Sequence, residues 1–372
     1  MPKVDQVLQM MGEIAPVGLA EDWDNVGIQV GNTAEEVDNV LLALDLNSEV
    51  LEEAKANNCG LIITHHPLIF NGIKSINSQS ETGRLIMELI KNEITLFSAH
   101  TNLDIAEGGI NDYLAEKLNL KKLDKLSITE KKDYYKLVVF VPEEGLEAVK
   151  EAVYDNGAGR IGNYSHSGFS VQGTGSFKPL EGSEPFIGDK NKVNEVAEYR
   201  LETIIKAEDA DKISRKILKA HPYEEPVWDF YKIQNMHQEI GLGRIGYLEK
   251  SKQFADLLPE IKEIFSLESL RYTGDKDRDV KKIALCSGSG ADFIKAAAFN
   301  GADLYLTGDV KYHEAQLAEE LDMALIDFGH YGSEKFVKNL LYEKLSSKAE
   351  EKGLKNLNFY KSEVNTNPWN YW

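Results

Sequence analysis

Short apolar runs alternate with amphipathic stretches through the first third of the chain. VLLALDL (40–46), LIIT (61–64) and ITLFSA (94–99) read as strands, and SEVLEEAKANN and ETGRLIMELIKN between them carry a helical period. The last third repeats the scheme. KKIALC, ADLYLT and MALIDFG read as strands, and ADFIKAAAFN, YHEAQLAEEL and EKFVKNLLYEKL as helices. Alternation of this kind predicts a layered α/β fold with a largely parallel sheet.

The two thirds also match each other. Residues 42–67 (LALDLNSEVLEEAKANNCGLIITHHP) align with 283–310 (IALCSGSGADFIKAAAFNGADLYLTGDV) across a two-residue gap. Each segment is followed by a strand that ends in His-x3-acid, namely His100/Asp104 and His330/Glu334. A duplicated layered α/β domain is expected, its copies turning their loops toward one cleft. The middle breaks the pattern. KKLDKLSITEKKD is a polar, charge-rich joint; YKLVVFVP, RLETIIKA and VWDFYKI are strands; EEGLEAVKEAVYDN and DADKISRKILKAH are helices. With a glycine-rich hairpin over GAGRIGNYSHSGFSVQGTGSF, its glycines assigned to tight turns, the order is β-α-β-β-α-β. An inserted ferredoxin-like (α+β) domain is expected at 128–240, dividing the duplicated metal-binding domain into 1–127 and 241–372.

Composition narrows the class. A chain of 372 residues exceeds what one core usually holds, in line with two domains. No run of 18 apolar residues occurs, and MPKVDQVLQMMGEIAP lacks a signal-peptide core, so a cytoplasmic protein is expected. Cys59 and Cys286 cannot form a disulfide framework and read as buried small hydrophobes. The formal charge of −19 (42 basic against 61 acidic residues) argues against nucleic-acid and membrane partners. It also opposes phosphate-bearing substrates unless a local metal or basic group reverses the field. Lys74 and Lys311 are the basic residues read as nearest to the motifs described next.

His65/His66, His100/Asp104, Gly288-Ser289-Gly290 and His330/Glu334 each follow an apolar strand directly. Ligands of parallel sheets bind beyond the strands' carboxyl ends, which makes these residues candidates for one rim. A lone histidine there is usually a satisfied loop residue, but three clusters at equivalent positions favour a metal site. Adjacent histidines in extended backbone point apart, so His65 and His66 suit two metals better than one. Imidazole with carboxylate favours zinc, iron or manganese over calcium or magnesium. His313 and His100 are candidates for moving protons, and Asp309 and His100 for orienting ligands. The SGSG loop could offer N–H groups to an anion but is no dinucleotide fingerprint. HPYEEP (221–226) reads as a turn, and Trp369 and Trp372 as packing residues.

LIITHHPLIF, SAHTNLD, TGDVKYHEA, GHYGSE and AEDWDNVGIQVGN together resemble the Nif-three-like dinuclear metal-centre proteins, often labelled GTP cyclohydrolase I type 2 homologues. The resemblance spans essentially the whole chain. The middle segment looks like the inserted domain of the longer bacterial members, similar to PII and CutA proteins. The resemblance implies two divalent metal ions per subunit, zinc first, held by His65, His66, Asp104, His330 and Glu334. Glu334 would be the bridge, one THHP histidine joining Asp104 and the other joining His330. It further implies a homohexamer and a metal-dependent hydrolase using metal-activated water, with GTP as the candidate small-molecule substrate. The competing expectation is a non-enzymatic regulatory assembly that senses a small molecule through the insert.

Overall fold

The structure, a computed structural model, describes residues 2–371. The chain divides into two compact units, Met1–Thr129 with Gly241–Trp372, and Glu130–Ile240.

The first unit contains two sheets. In one, the order is Gly27–Val30, Thr95–Ser98, Leu61–Thr64, Asn39–Ala43 and Asn358–Lys361. All pairings are parallel except that of Gly27–Val30 with Thr95–Ser98. In the other, the end of Trp228–Gln253 is followed by Asp279–Leu285, Leu304–Thr307, Ala324–Asp327 and Arg271–Thr273. The middle three strands are parallel and the outer two antiparallel. Each sheet therefore contains a run of three consecutive parallel strands with an antiparallel strand against the third; the sheets differ at the other edge, parallel Asn358–Lys361 in one and antiparallel Trp228–Gln253 in the other. The internal repeat read from the sequence is present as architecture.

Register aligns the strand ends that matter. Thr64 pairs with Ser98, and Thr307 with Asp327, so the carboxyl ends finish level and their following residues share a rim. Leu61 and Ile63 pack into one core while Ile62 packs into another, so the strand is buried on both faces. That explains why these strands read as unbroken apolar runs. The larger core joins Leu61, Ile63 and Phe97 of one sheet to Ile283, Leu304 and Ile326 of the other.

In the second unit the strand order is Gly168–Phe177, Asn194–Lys206, Lys121–Pro142 and Trp228–Gln253, of which the last two run beyond the unit. Helices Leu146–Tyr154 and Ala210–Ala220 pack on Leu137, Val139, Val141, Leu201 and Ile205. The alternate residues, Phe140 and Glu198 among them, belong to the opposite face.

Three expectations are corrected. KKLDKLSITEKKD holds the boundary between the units, at Thr129/Glu130, but it is part of the continuous strand Lys121–Pro142 rather than an irregular joint, and Leu126 in it is buried. Its apolar residues, Leu123, Leu126 and Ile128, do not alternate regularly, and only Leu126 is buried, so no local pattern announced the strand. In the glycine-rich segment only Gly157, Gly159 and Gly162 have the positive φ of turns; Gly168, Gly173 and Gly175 lie within strand Gly168–Phe177. Trp369 is 71% exposed rather than packed, and Trp372 lies outside the described residues. The short edge strands Gly27–Val30, Arg271–Thr273 and Asn358–Lys361 carried too little apolar pattern to be found. Cys59 and Cys286 are buried free thiols. Among the described residues no helix is long and apolar enough to cross a membrane.

Arg244 ties the halves of the first unit together. Its guanidinium donates to both carboxylate oxygens of Asp112 (2.6 and 2.9 Å) and to the carbonyls of Ala106 and Gly243. Replacing it with methionine leaves Asp112 and those carbonyls uncompensated. Arg244→Met should destabilise the protein by about 3–5 kcal/mol, measured by denaturant unfolding.

Candidate metal centre

The hydroxyls of Thr64 and Ser98, 2.9 Å apart, tie the ends of two neighbouring strands. The next residue, His65, is fully buried. Its Nδ1 lies 2.7 Å from the Ala99 carbonyl, which can only accept, so the proton sits there and Nε2 presents a lone pair. Nε2 has no hydrogen-bond partner and faces Asp104 Oδ1 at 3.7 Å and Glu334 Oε1 at 3.6 Å. His66, expected to point away from His65, converges on the same carboxylate through its other oxygen. Its Nδ1 meets Asp45 Oδ1 at 2.7 Å, and its Nε2 meets Glu334 Oε2 at 2.9 Å. His330, at the start of the short helix His330–Glu334, repeats the arrangement from the second copy. Its Nδ1 meets Asp309 Oδ2 at 2.7 Å and its Nε2 meets Glu334 Oε2 at 3.0 Å.

Two groups of converging donor atoms result, one of His65, Asp104 and Glu334 and one of His66, His330 and Glu334. Glu334 belongs to both through different oxygens. The donors suit a borderline divalent cation: imidazole nitrogens with their far sides occupied, carboxylates between them, and one buried nitrogen without a partner. Asp104 is held by Ser287 Oγ at 3.1 Å, and Asn111 links its backbone carbonyl to the Ser287 N–H. Gly288 is required at its place. Its φ is +61°, and a Cβ there would come within 2.3 Å of Glu334 Oε1.

His100 joins His65 and His66 in a further group. Asp24 Oδ1 lies 2.9 Å from its Nδ1, and Trp23 and Phe70 stand against its ring. His313 belongs to none of these groups. It is exposed on helix Tyr312–Glu320, where Nδ1 meets Gln316 Oε1. The SGSG loop does not fit the anion reading, because the N–H groups of Ser287, Gly288 and Gly290 donate to Asn111, Ser333 and Thr307. His221 is buried in the HPYEEP turn, accepting from Tyr223 N and donating through Nε2 to the Phe140 carbonyl.

Beside His66 and His330 lies a cleft of about 1020 Å³, lined in part by Arg271, Lys335, Tyr331 and Trp369. Lys74 and Lys311 are exposed, and neither lines it. Lys335 immediately follows Glu334 and was legible in the sequence, whereas Arg271 arrives only through the antiparallel edge strand. Asp45 and Asp24 were also missed. Asp45 follows strand Asn39–Ala43, the position matched in the second copy by the Ser287 loop.

Electrostatics sharpen the picture. Burial works against the charge of Glu334, yet the imidazoles of His330, His65 and His66 hold it well below the usual carboxylate range. Burial pushes Asp104 up, and the Glu334 charge adds to this. Burial alone would lower His66, but Asp45 and Glu334 raise it to about 10; Glu334 and Asp309 likewise raise His330 to about 9. Asp24 is driven to about 2 against its burial by His100 and Thr101. The carboxylates thus gather positive charge on the surrounding imidazoles, charge that protons supply in the absence of a cation.

Residues 2–368 match the family Duf34/NIF3 (NGG1p interacting factor 3). A Bacillus subtilis protein called GTP cyclohydrolase 1 type 2 homolog is 39% identical over 366 residues, with 98% of each chain covered. The crystal structure of a Bacillus cereus protein related to NIF3 is similar at TM-score 0.91 and 38% identity, covering 100% of this chain and 99% of that one. A Staphylococcus aureus structure matches at TM-score 0.79 and 30% identity, with coverage of 100% and 99%.

The raised histidines predict how the metal-free protein responds to pH. Their folded-state pKa values lie above the ordinary 6.5 of an unfolded chain, so their contribution to stability is complete below about pH 6.5. It declines as pH rises through about 9 and 10. Asp45→Asn removes one cause of the rise at His66, so its melting temperature should fall less steeply between pH 7 and 10 than that of the parent protein. Parallel thermal curves would contradict the assignment.

Proposed function

As the chain belongs to the Duf34/NIF3 family, we propose that it is a dinuclear metalloprotein whose two divalent cations serve a hydrolytic reaction of the GTP cyclohydrolase kind. The observation that carries this reading is the shared carboxylate: Glu334 turns one oxygen to His65 and the other to His66 and His330. His65 with Asp104 would hold one ion and His66 with His330 the other, Glu334 serving both. Zinc suits this mixed nitrogen and oxygen set, with iron or manganese as alternatives. Such cations supply Lewis acidity and make water a nucleophile near neutral pH.

The chain's own groups divide the remaining work. Asp45 and Asp309 orient the rings of His66 and His330, and Asp24 does so for His100. His100, rather than the outlying His313, is placed to exchange a proton beside His65 and His66. Trp23 and Phe70, both partly exposed, stand against the His100 ring on that side. Arg271 and Lys335 face the cleft, but so do Asp45, Asp309, Asp327 and Glu268. An anionic substrate such as GTP would therefore depend on the cations to offset those carboxylates. We further propose a cytoplasmic homohexamer with a ferredoxin-like insert of the PII/CutA kind at Glu130–Ile240; the β-α-β-β-α-β order of that unit supports the last point. Its cavity favours a second reading, a metal-bound regulatory assembly without turnover.

The test is to quantify the metals of the purified protein and incubate it with GTP while following fluorescent pterin products. Metal-dependent turnover is expected, with His65→Ala and Glu334→Ala losing it by at least about a hundredfold together with bound metal. Two tight metals without turnover on GTP or a panel of hydrolase substrates would overturn the enzymatic reading and leave the regulatory one. Zinc binding at pH 7 should also release protons, because His66 and His330 must give theirs up; calorimetry in buffers of different ionisation enthalpy measures that release.

A further inference from the structure

The sheet face of the Glu130–Ile240 unit that carries no helices is not bare. The segment after strand Gly168–Phe177 folds over it and forms a half-open pocket of about 560 Å³, whose outer wall includes the partly exposed Leu180, Phe186 and Ile187. The outer wall is built rather than loose: Asn191 N donates to Pro179 O at 2.8 Å, Ser183 Oγ to Leu180 O at 2.8 Å, and Glu184 N to Glu224 Oε1 at 2.9 Å. The His221 bond to the Phe140 carbonyl fixes the turn below.

The lining has a specific chemistry. Phe177 and Phe186 flank Tyr223 with ring centroids 6.3 and 6.1 Å away, and Phe140 completes an aromatic enclosure. Glu198 enters the same space, beside the Tyr223 hydroxyl and without a Lys, Arg or His partner among the described residues. Its carboxylate fits because residue 175 is glycine; a Cβ there would lie 2.1 Å from Glu198 Oε2. The Tyr223 hydroxyl is sealed from solvent, makes no hydrogen bond of good geometry, and is faced by the Glu198 carboxylate, whose charge adds to burial in pushing the phenol's pKa up. Glu224 and Glu225 stand at the rim, and Lys178 is the only basic side chain in the lining.

Aromatic faces attract cations through their quadrupole, and a carboxylate without a counter-ion supplies the charge such a guest needs. A purely apolar ligand would leave Glu198 desolvated without compensation, and an anion would be repelled. We propose that this cavity is a binding site for a small organic cation of the alkylammonium class, held by the aromatic enclosure and the Glu198 carboxylate. The aromatic rings take the substituted nitrogen, and Glu198, which also faces the Tyr223 hydroxyl, balances its charge.

The test uses the full-length, metal-loaded protein and two isosteric probes, choline and uncharged 3,3-dimethylbutan-1-ol, titrated by calorimetry or ligand-observed NMR. Choline is expected to bind saturably and at least about tenfold more tightly than the alcohol. Glu198→Gln should erase that preference and Phe177→Leu should weaken choline by a similar factor. Asp45→Asn, in the metal centre, should leave choline binding unchanged, which separates this cavity from the acidic cleft. Equal binding of the two probes, choline binding insensitive to Glu198→Gln, or no saturable choline binding below about 0.1 M would each overturn the proposal.

Discussion

A carboxylate as deeply buried as Glu334 is costly unless opposite charge surrounds it, and that requirement organises the first unit. Three imidazoles close around Glu334, two from the end of strand Leu61–Thr64 and one from the second copy of the repeat. Each imidazole is fixed at its far nitrogen, by Ala99, Asp45 or Asp309. Gly288 leaves the space that the carboxylate fills. The level strand ends, the glycine at φ +61° and the second ring of carboxylates all follow from placing this one charge.

Duplication explains how the arrangement was reached. Two sheets with the same run of three parallel strands each end a parallel strand in a histidine followed by an acid one helical turn later. Neither copy alone holds a complete donor set, because His65 and Asp104 lack Glu334, while His330 and Glu334 lack the adjacent histidines. The cores of the two sheets merge into one, which locks their rims together to the precision that converging donors need. The chain's formal charge of −19 counts these carboxylates, and within the site it is the buried Glu334 and Asp104 that most need a cation.

Much of this was legible in the chain. LIIT, ADLYLT and MALIDFG are buried on both faces, so their apolar runs announced parallel strands, and the residues after them announced the rim. The edge strands were not legible, since Gly27–Val30 and Arg271–Thr273 are short and partly exposed. KKLDKLSITEKKD does hold the unit boundary, but its strand was not legible, because its charged residues do not alternate with apolar ones. His65, His66, Asp104, His330 and Glu334 stood out by type and place, but Asp45, Asp24 and Arg271 act through long-range contacts that no local pattern encodes. His313 stood out equally by place, yet its helix turns it outward. The enclosure around Tyr223 was hidden for the same reason, as it needs three strands and a loop to bring its rings together.

The proposed site depends on Glu334 serving two cations at once. Anomalous diffraction from crystals of the metal-loaded protein tests it most directly. Two peaks are predicted, one against His65 and Asp104 and one against His66 and His330, both within bonding distance of Glu334. A single peak, or peaks that leave Glu334 uncoordinated, would contradict it.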